Sequence, residues 1–310
     1  MAHIREIKKR IKVARNIQQI TRAMAMVAAV RLRRAQERVM AVRPYIERLG
    51  TTLAHLAPAP SEGGHPLFTP RVPAMNVLLV PLSADKGLCG SYNTNIVRRT
   101  TATIAALPQA KVTLYPLGKK GYDYFRRTNA SMSGHRQDLL RAPNIRQAAA
   151  VAQELSQLYL SGQYDEVRVI YNRFVSAAHQ VVEVERFLPL TLPPVSNVFP
   201  HRPAEPAGLN AGHAGLPMGE NTGEMPCPII EPNVPAAVDA LAQEWMRARM
   251  YHYFLEAAAG ELGARRTAMD AATEHASEIS AHQTLAMNRA RQTAITMEIL
   301  DIINGAEAMK

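Results

Sequence analysis

"ITRAMAMVAAVRLRRAQERV", residues 20–39, decides how this chain is built. It holds no glycine or proline, so nothing opposes a helix through it. Its character changes midway, from small and flexible side chains to a collar of Arg31, Arg33, Arg34 and Arg38. The helical pattern extends outward in both directions: residues 2–43 hold no Pro, the first Gly is Gly50, and Pro44 is the one interruption between them. Apolar residues recur at Ile4, Ile7, Ile11, Ala14, then Ile17, Ile20, Met24, Val27, then Leu32, Ala35, Val39, Val42, Ile46 and Leu49. Spacings of three and four with two phase slips read as a narrow coiled-coil seam, locally overwound or unwound where the phase changes. Such a seam needs a partner helix.

That partner is expected at the other end of the chain. Residues 236–310 hold no Pro, and their only glycines are Gly260, Gly263 and Gly305. A second stripe runs Val238, Leu241, Trp245, Ala248, His252, Leu255, Ala259, Leu262 and resumes at Met269, Ala272, Ala276 and Ile279. Alanine on a seam lets helices approach closely. The net charge of +10 is placed to match: residues 1–50 carry 13 Lys plus Arg against three acids, whereas residues 235–310 carry seven against ten. At about 1.5 Å per residue, helices of roughly 55 and 75 residues are about 80 and 110 Å long, more than an ordinary globular domain spans.

Between the two helices the period changes. "MNVLLVPLS", "KVTLYPLG", "EVRVIYNRF" and "VEVERFLPL" read as strands, separated by helical patterns around Thr94 to Ala106 and Ile145 to Leu160. The fold class is therefore α/β: an α/β domain inserted between long N- and C-terminal helices that pair as a coiled coil. The divisions expected are an N-terminal coiled-coil helix over 1–56, an α/β domain over 74–190, a flexible insertion over 191–228 and a C-terminal helix within 229–310, preceded by a short edge strand at Cys227 to Glu231. The insertion has eight Pro and five Gly in 38 residues, a composition that favours a surface loop.

Composition bounds the function. Aromatic residues are only 5% of 310, low for a compact enzyme and usual for long helices rich in Ala, Leu and Arg. No run of 18 apolar residues occurs and the N-terminus lacks a signal-peptide pattern, so a soluble, unexported protein is expected. Cys89 and Cys227 are too few and too far apart for a disulfide framework or a zinc site.

No stretch makes a strong catalytic motif. "DKGLCGSY", residues 85–92, follows a strand and precedes a helix as phosphate loops do, yet it matches neither nucleotide-binding glycine pattern and reads as a tight turn. Cys89 stands near a helix start, where a thiol can be reactive, but beside Gly90 it fits a buried structural role better. His275, Glu278 and His282 share one helix face and could ligate metal in a bundle, but no second helix offers matching acids. The arginine collar fits a solvated face, an acidic protein partner, or nucleic-acid phosphates; no aromatic platform or base-reading motif accompanies it. His252 falls on the seam, where a satisfied core histidine is commoner than a switch.

Three segments carry a resemblance. "IREIKKRIKVARNIQQITRAMAMVAAVRLRRAQ" at 4–36, "DKGLCGSYN" at 85–93, and "MDAATEHASEI" through "NRARQTAITMEILDIINGAEA" at 269–308 closely resemble the gamma subunits of rotary ATP synthases, in the same order and across the whole chain. The resemblance implies a rotor shaft. The terminal helices would form an antiparallel left-handed coiled coil inside a ring of three alpha and three beta subunits, with a Rossmann-like α/β domain inserted between them. The α/β domain would be the foot on the membrane c-ring, and an epsilon subunit would be a further partner. Proton or sodium flow would turn the shaft, whose off-axis rotation drives the catalytic sites of the ring in sequence. The chain itself would be non-catalytic, without cofactor, metal or nucleic acid, peripheral on the cytoplasmic face of the bacterial plasma membrane and in contact with it only through the c-ring.

Residue by residue, the resemblance implies that Met24 meets a lever loop of a beta subunit. Arg33 and Arg34 would face carboxylate-rich surfaces of the ring, Arg291, Gln292 and Thr296 would hydrogen-bond the ring at its catch, and Glu231 would lie at the rotor interface. Small and flexible Ala23, Met24, Ala25 and Met26 offer no deep ridges to lock against a surrounding ring. Three features depart from the family pattern. Ala25 stands between the two methionines where many relatives have Lys or Glu, and Ile229 and Ile230 precede Glu231 where aromatics are common. The insertion stands where chloroplast relatives carry a redox-active pair, but only Cys227 lies near it, so an intramolecular dithiol switch cannot form.

Overall fold

The computed structural model describes residues 2–56, 65–176, 179–192 and 233–307, with side chains from residue 4 to residue 305. In chain order the elements are α1 (Ala2–Leu56), β1 (Asn76–Pro81), α2 (Tyr92–Ala105), β2 (Lys111–Leu114), α3 (Lys119–Arg127), α4 (Ile145–Leu160), β3 (Glu166–Phe174), β4 (Gln180–Leu188) and α5 (Val234–Glu307). The insertion from 193 onward, the expected strand at Cys227 to Glu231 and Glu231 itself lie outside the described residues.

α1 and α5 pack antiparallel, with the hydroxyls of Thr21 and Thr273 meeting at 2.7 Å. The inward side of α1 follows Ile7, Ile11, Ala14, Gln18, Thr21, Ala25, Ala28, Leu32, Ala35, Val39, Val42, Ile46, Leu49 and Leu53, each buried or half-buried. This is an unbroken alternation of four and three, the spacing of a left-handed coil. The two phase slips expected from the sequence are absent. Of the residues assigned to the seam by their apolar spacing, Ile17, Ile20 and Val27 are 46%, 60% and 53% exposed, and Met24 yields the inward position to Ala25. Their neighbours one position on replace them, and Thr21 satisfies its hydroxyl against Ile17 O and Gln18 O as well as Thr273. On α5 the same shift turns Ile279 outward, 54% exposed, and puts Ser280 inside.

Seam composition grades the strength of the coil. A fully buried Leu or Val side chain contributes about 1.5–3 kcal/mol, and alanine far less. The lower coil, with Leu32 and Val39 against Leu255 and Ala259, is therefore held more firmly than the middle around Thr21, Ala25 and Ala28. Pro44 does not end α1. The carbonyl it frees belongs to Met40, which is 68% exposed, so water can satisfy it.

The head is a four-stranded sheet of order β2-β1-β3-β4, with β1 parallel to both β2 and β3 and β4 antiparallel at the edge. α2 and α3 cover one face, where Ile96 and Phe125 meet Val77, Leu79, Leu114 and Ile170. The other face takes α4 through Val151, Leu155 and Tyr159, and also the shaft itself through Leu53, Trp245, Met250, Tyr253 and Phe254. Shaft and head thus share one core. No helix among the described residues is long and apolar enough to cross a membrane.

Candidate functional site

Asp85 to Tyr92 forms a joint between head and shaft. The Asp85 carboxylate accepts from the backbone N–H of Lys119 at 2.9 Å and so caps α3. The Gly87 carbonyl accepts from Arg265 of α5 at 2.8 Å, and Gly90, at φ +55°, lies against Ala268 and the Ala264 carbonyl. The Tyr92 hydroxyl donates to the Ala257 carbonyl at 3.1 Å. Gly260 of α5 comes so close that an added Cβ would lie 3.3 Å from Asn172 Cβ and 3.5 Å from the Tyr92 ring. In doubly wound sheets the ligand crevice opens beyond the strand ends where the connections diverge, here between β1 and β3. α5 fills that place. Cys89 is buried, and burial followed by the Glu261 carboxylate pushes its thiol pKa up, so it lacks the environment of a reactive thiolate.

Above this joint lies a groove of about 530 Å³ between α1 and the head. Met24, Arg31, Arg34 and Arg38 line its shaft side, and Lys86 and Arg141 its head side. The spacing of 31, 34 and 38 puts those arginines on one face. Among the described residues none of these five cations makes a salt bridge. Arg33 does not join them: it is turned away and pairs with Glu37 at 3.4 Å, one turn along its own helix. Of the two arginines singled out from the sequence, only Arg34 therefore faces the groove with Met24. The contribution of Lys86 and Arg141 was not legible, because nothing in the sequence places those loops beside residue 34.

Among the described residues, the far end of the shaft is a single helix. Thirty-four residues follow Thr273 to the end of α5 and nineteen precede Thr21 to the start of α1, so α5 outruns α1 by 15 residues, about 22 Å. Arg291, Gln292 and Thr296 sit at the start of this overhang and are all exposed; the Thr296 hydroxyl donates to the Gln292 carbonyl at 3.0 Å. Ile295, Met297, Ile299, Leu300, Ile302 and Ile303 are also exposed, a broad apolar face beside the equally exposed Glu298 and Asp301. His275 and Glu278 approach each other at 3.2 Å on an open helix face, and His282 is exposed one turn further on.

Where shaft and head share a core, buried charges collect. Glu256, its side chain 1% exposed, accepts from Arg43 of α1 and from the backbone N–H of Phe174, both at 2.8 Å. His252 Nε2 lies 3.5 Å from the same carboxylate, and its buried Nδ1 has no hydrogen-bond partner among the described residues. Burial lowers the His252 pKa from its ordinary 6.5; Glu256 and Glu185 act against the shift, and Arg43 and Arg249 act with it. The unfolded chain therefore binds this proton more readily. The stability contribution is complete above about pH 6.5 and is lost as pH falls through the lower folded value. Urea unfolding of the full chain at pH 7.5 and pH 5.5 should show a smaller loss for His252→Gln than for the parent; parallel losses would rule the histidine out as the source.

Comparisons with known proteins agree with this architecture. A family model described as ATP synthase matches residues 3–309. The ATP synthase gamma chain of Desulfitobacterium hafniense is 39% identical, with both chains covered in full. The central stalk and c-ring structure of Tetrahymena thermophila mitochondrial ATP synthase contains a chain that is 25% identical at a TM-score of 0.58, over 82% of this chain and 99% of that one. A chain of the Euglena gracilis mitochondrial enzyme aligns at a TM-score of 0.65, over 99% and 95%, with 18% identity. This chain belongs to the ATP synthase gamma chain family.

Proposed function

We propose that this chain is the central rotor shaft of a proton- or sodium-translocating ATP synthase, a non-catalytic subunit that couples rotation of the membrane c-ring to conformational change in the catalytic ring. The observation that carries the reading is the surface of the shaft. Its middle hides small residues and leaves Ile17, Ile20, Met26, Val27 and Val30 exposed, and its tip exposes a broad apolar face. A lone helix pair gains nothing by that arrangement. A shaft enclosed by a sleeve does, because contacts spread over many shallow side chains hold no single angle. The partners are three alpha and three beta subunits around the coil, with the epsilon subunit and the c-ring at the head. The complex so formed would hold this chain peripherally on the cytoplasmic face of the plasma membrane.

The contact residues follow the same reading. Met24, with Arg34 in the groove and Arg33 on the outer face, meets the acidic beta loops; Arg291, Gln292 and Thr296 meet the catch, and Glu231 the c-ring. The filled crevice between β1 and β3 supports a head that carries torque rather than a nucleotide. Co-purification tests the assembly: alpha and beta subunits should each be recovered at about three per chain, and recovery of neither would end the proposal. Met24→Lys tests the carry-over. It adds a cation to a groove wall that already holds Arg31, Arg34 and Arg38, and so tightens the grip on an acidic loop that must be released at each step. Assembly should survive while ions pumped per ATP fall in reconstituted vesicles; an unchanged ratio removes Met24 from the contact.

A further inference from the structure

The coiled coil and the head must turn as one body if the chain transmits torque, and apolar packing alone resists separation better than it resists slip. Hydrogen bonds weaken steeply with angle, and those to charged groups are the stronger ones. The shaft–head junction holds a set of them around one side chain. Glu256 reaches from α5 to α1 through Arg43 Nη2 and to the last residue of β3 through the Phe174 N–H, each at 2.8 Å. Two turns earlier, Arg249 bonds the Glu185 carboxylate of β4, the Arg186 carbonyl at 3.3 Å and the Tyr253 hydroxyl at 2.6 Å. The two side chains thus link both shaft helices to two strands of the sheet.

Stability does not explain such a cluster. Burying a carboxylate costs its hydration, and replacing a buried ion pair with well-packed apolar groups is often neutral or stabilising. Among the described residues, Trp245 Nε1, Arg249 Nη1 and His252 Nδ1 are left buried without partners in the same region, a further cost. What the cluster supplies is direction. We propose that Glu256 is the positioning residue that fixes the angle of the head on the shaft, with Arg43 as its partner on the second helix, so that torque from the head reaches the coil without slip. This rests on the rotor-shaft reading above.

The test uses the complete enzyme in sealed vesicles and compares Glu256→Gln, Arg43→Met and Arg43→Lys with the parent. Glu256→Gln keeps an acceptor for the Phe174 N–H but loses the ion pair. Arg43→Met acts from the half-exposed side, where its side chain is 46% exposed, and leaves the buried carboxylate its backbone donor. Both should hydrolyse ATP at near-parent rates, since the coil within the ring is untouched. ATP synthesis driven through the head should fall about fivefold or more, the size of a lost inter-site coupling. A probe on the head should show a wider angular spread at each dwell, and Arg43→Lys should recover most of the synthesis. Equal loss of hydrolysis and synthesis, an unchanged angular spread, or failure of both Glu256→Gln and Arg43→Met to assemble would overturn the proposal. A parent enzyme whose head does not rotate against the ring would instead overturn the rotor-shaft reading.

Discussion

Gly118→Ala should prevent the head from folding. Gly118 joins the end of β2 to α3 at φ +103° and ψ +145°, a conformation that L side chains rarely adopt. A Cβ there would lie 1.9 Å from the Ser83 carbonyl oxygen and 2.7 Å from its carbon, both backbone atoms at the end of β1. They cannot move alone: Ser83 is fully buried, its N–H donates to the Leu117 carbonyl at 2.8 Å, and its Oγ accepts from the Gly121 N–H at 2.8 Å. Strain and overlap together should cost more than about 4 kcal/mol, a large part of the stability of an ordinary domain. Gly162→Ala is the internal control. It shares a positive φ of 78° but meets nothing within 4 Å, so it should cost only about 1–2 kcal/mol of backbone strain. Urea unfolding monitored at Trp245 separates the two cases, and a Gly118→Ala protein as stable as Gly162→Ala would refute the close approach.

What the sequence revealed follows from which signals are periodic. The four strands and α4 stood out because alternating or continuous apolar runs switch abruptly to a helical period. α3 was missed because "KKGYDYFRR" is charged and holds a glycine; only Gly121 and Phe125 of it are buried, too few to register a face. The seam of α1 was misplaced by one position around residues 17–28 because apolar residues at helical spacing were taken as the buried ones. There the chain buries Thr21, Ala25 and Ala28 and exposes larger neighbours, a choice that makes sense only if another surface covers them. The groove around Met24 combines a helix whose extent, though not its seam, was legible with loops at Lys86 and Arg141 that lie far away in sequence. Glu256 was illegible for a different reason. An acid inside an apolar stretch reads as a break in the pattern, and its value depends on Arg43 and Phe174, which are 213 and 82 residues away.

The same contrast between shape and surface sets the second large effect, at the other end of the molecule. Arg291, Gln292 and Thr296 are exposed at the start of the unpaired tip, and 100° per residue puts Gln292 and Thr296 on one face with Arg291 on its flank. Thr296 already donates its hydroxyl proton to the Gln292 carbonyl, so toward a partner it offers only an acceptor, whereas the Gln292 amide and the Arg291 guanidinium form no side-chain hydrogen bond among the described residues and keep their donors. A hydrogen bond to a charged group is worth about 1.5–3 kcal/mol. Arg291→Ala or Gln292→Ala should therefore slow the step that contact supports about tenfold to a hundredfold, and Thr296→Ala should do less. Stability should hardly change in any of them, because alanine is the better helix former and the side chains removed are exposed. The expected result is an assembled complex that melts like the parent but hydrolyses and makes ATP slowly. Full activity in both Arg291→Ala and Gln292→Ala would remove these residues from the contact, and failure to assemble would make them structural.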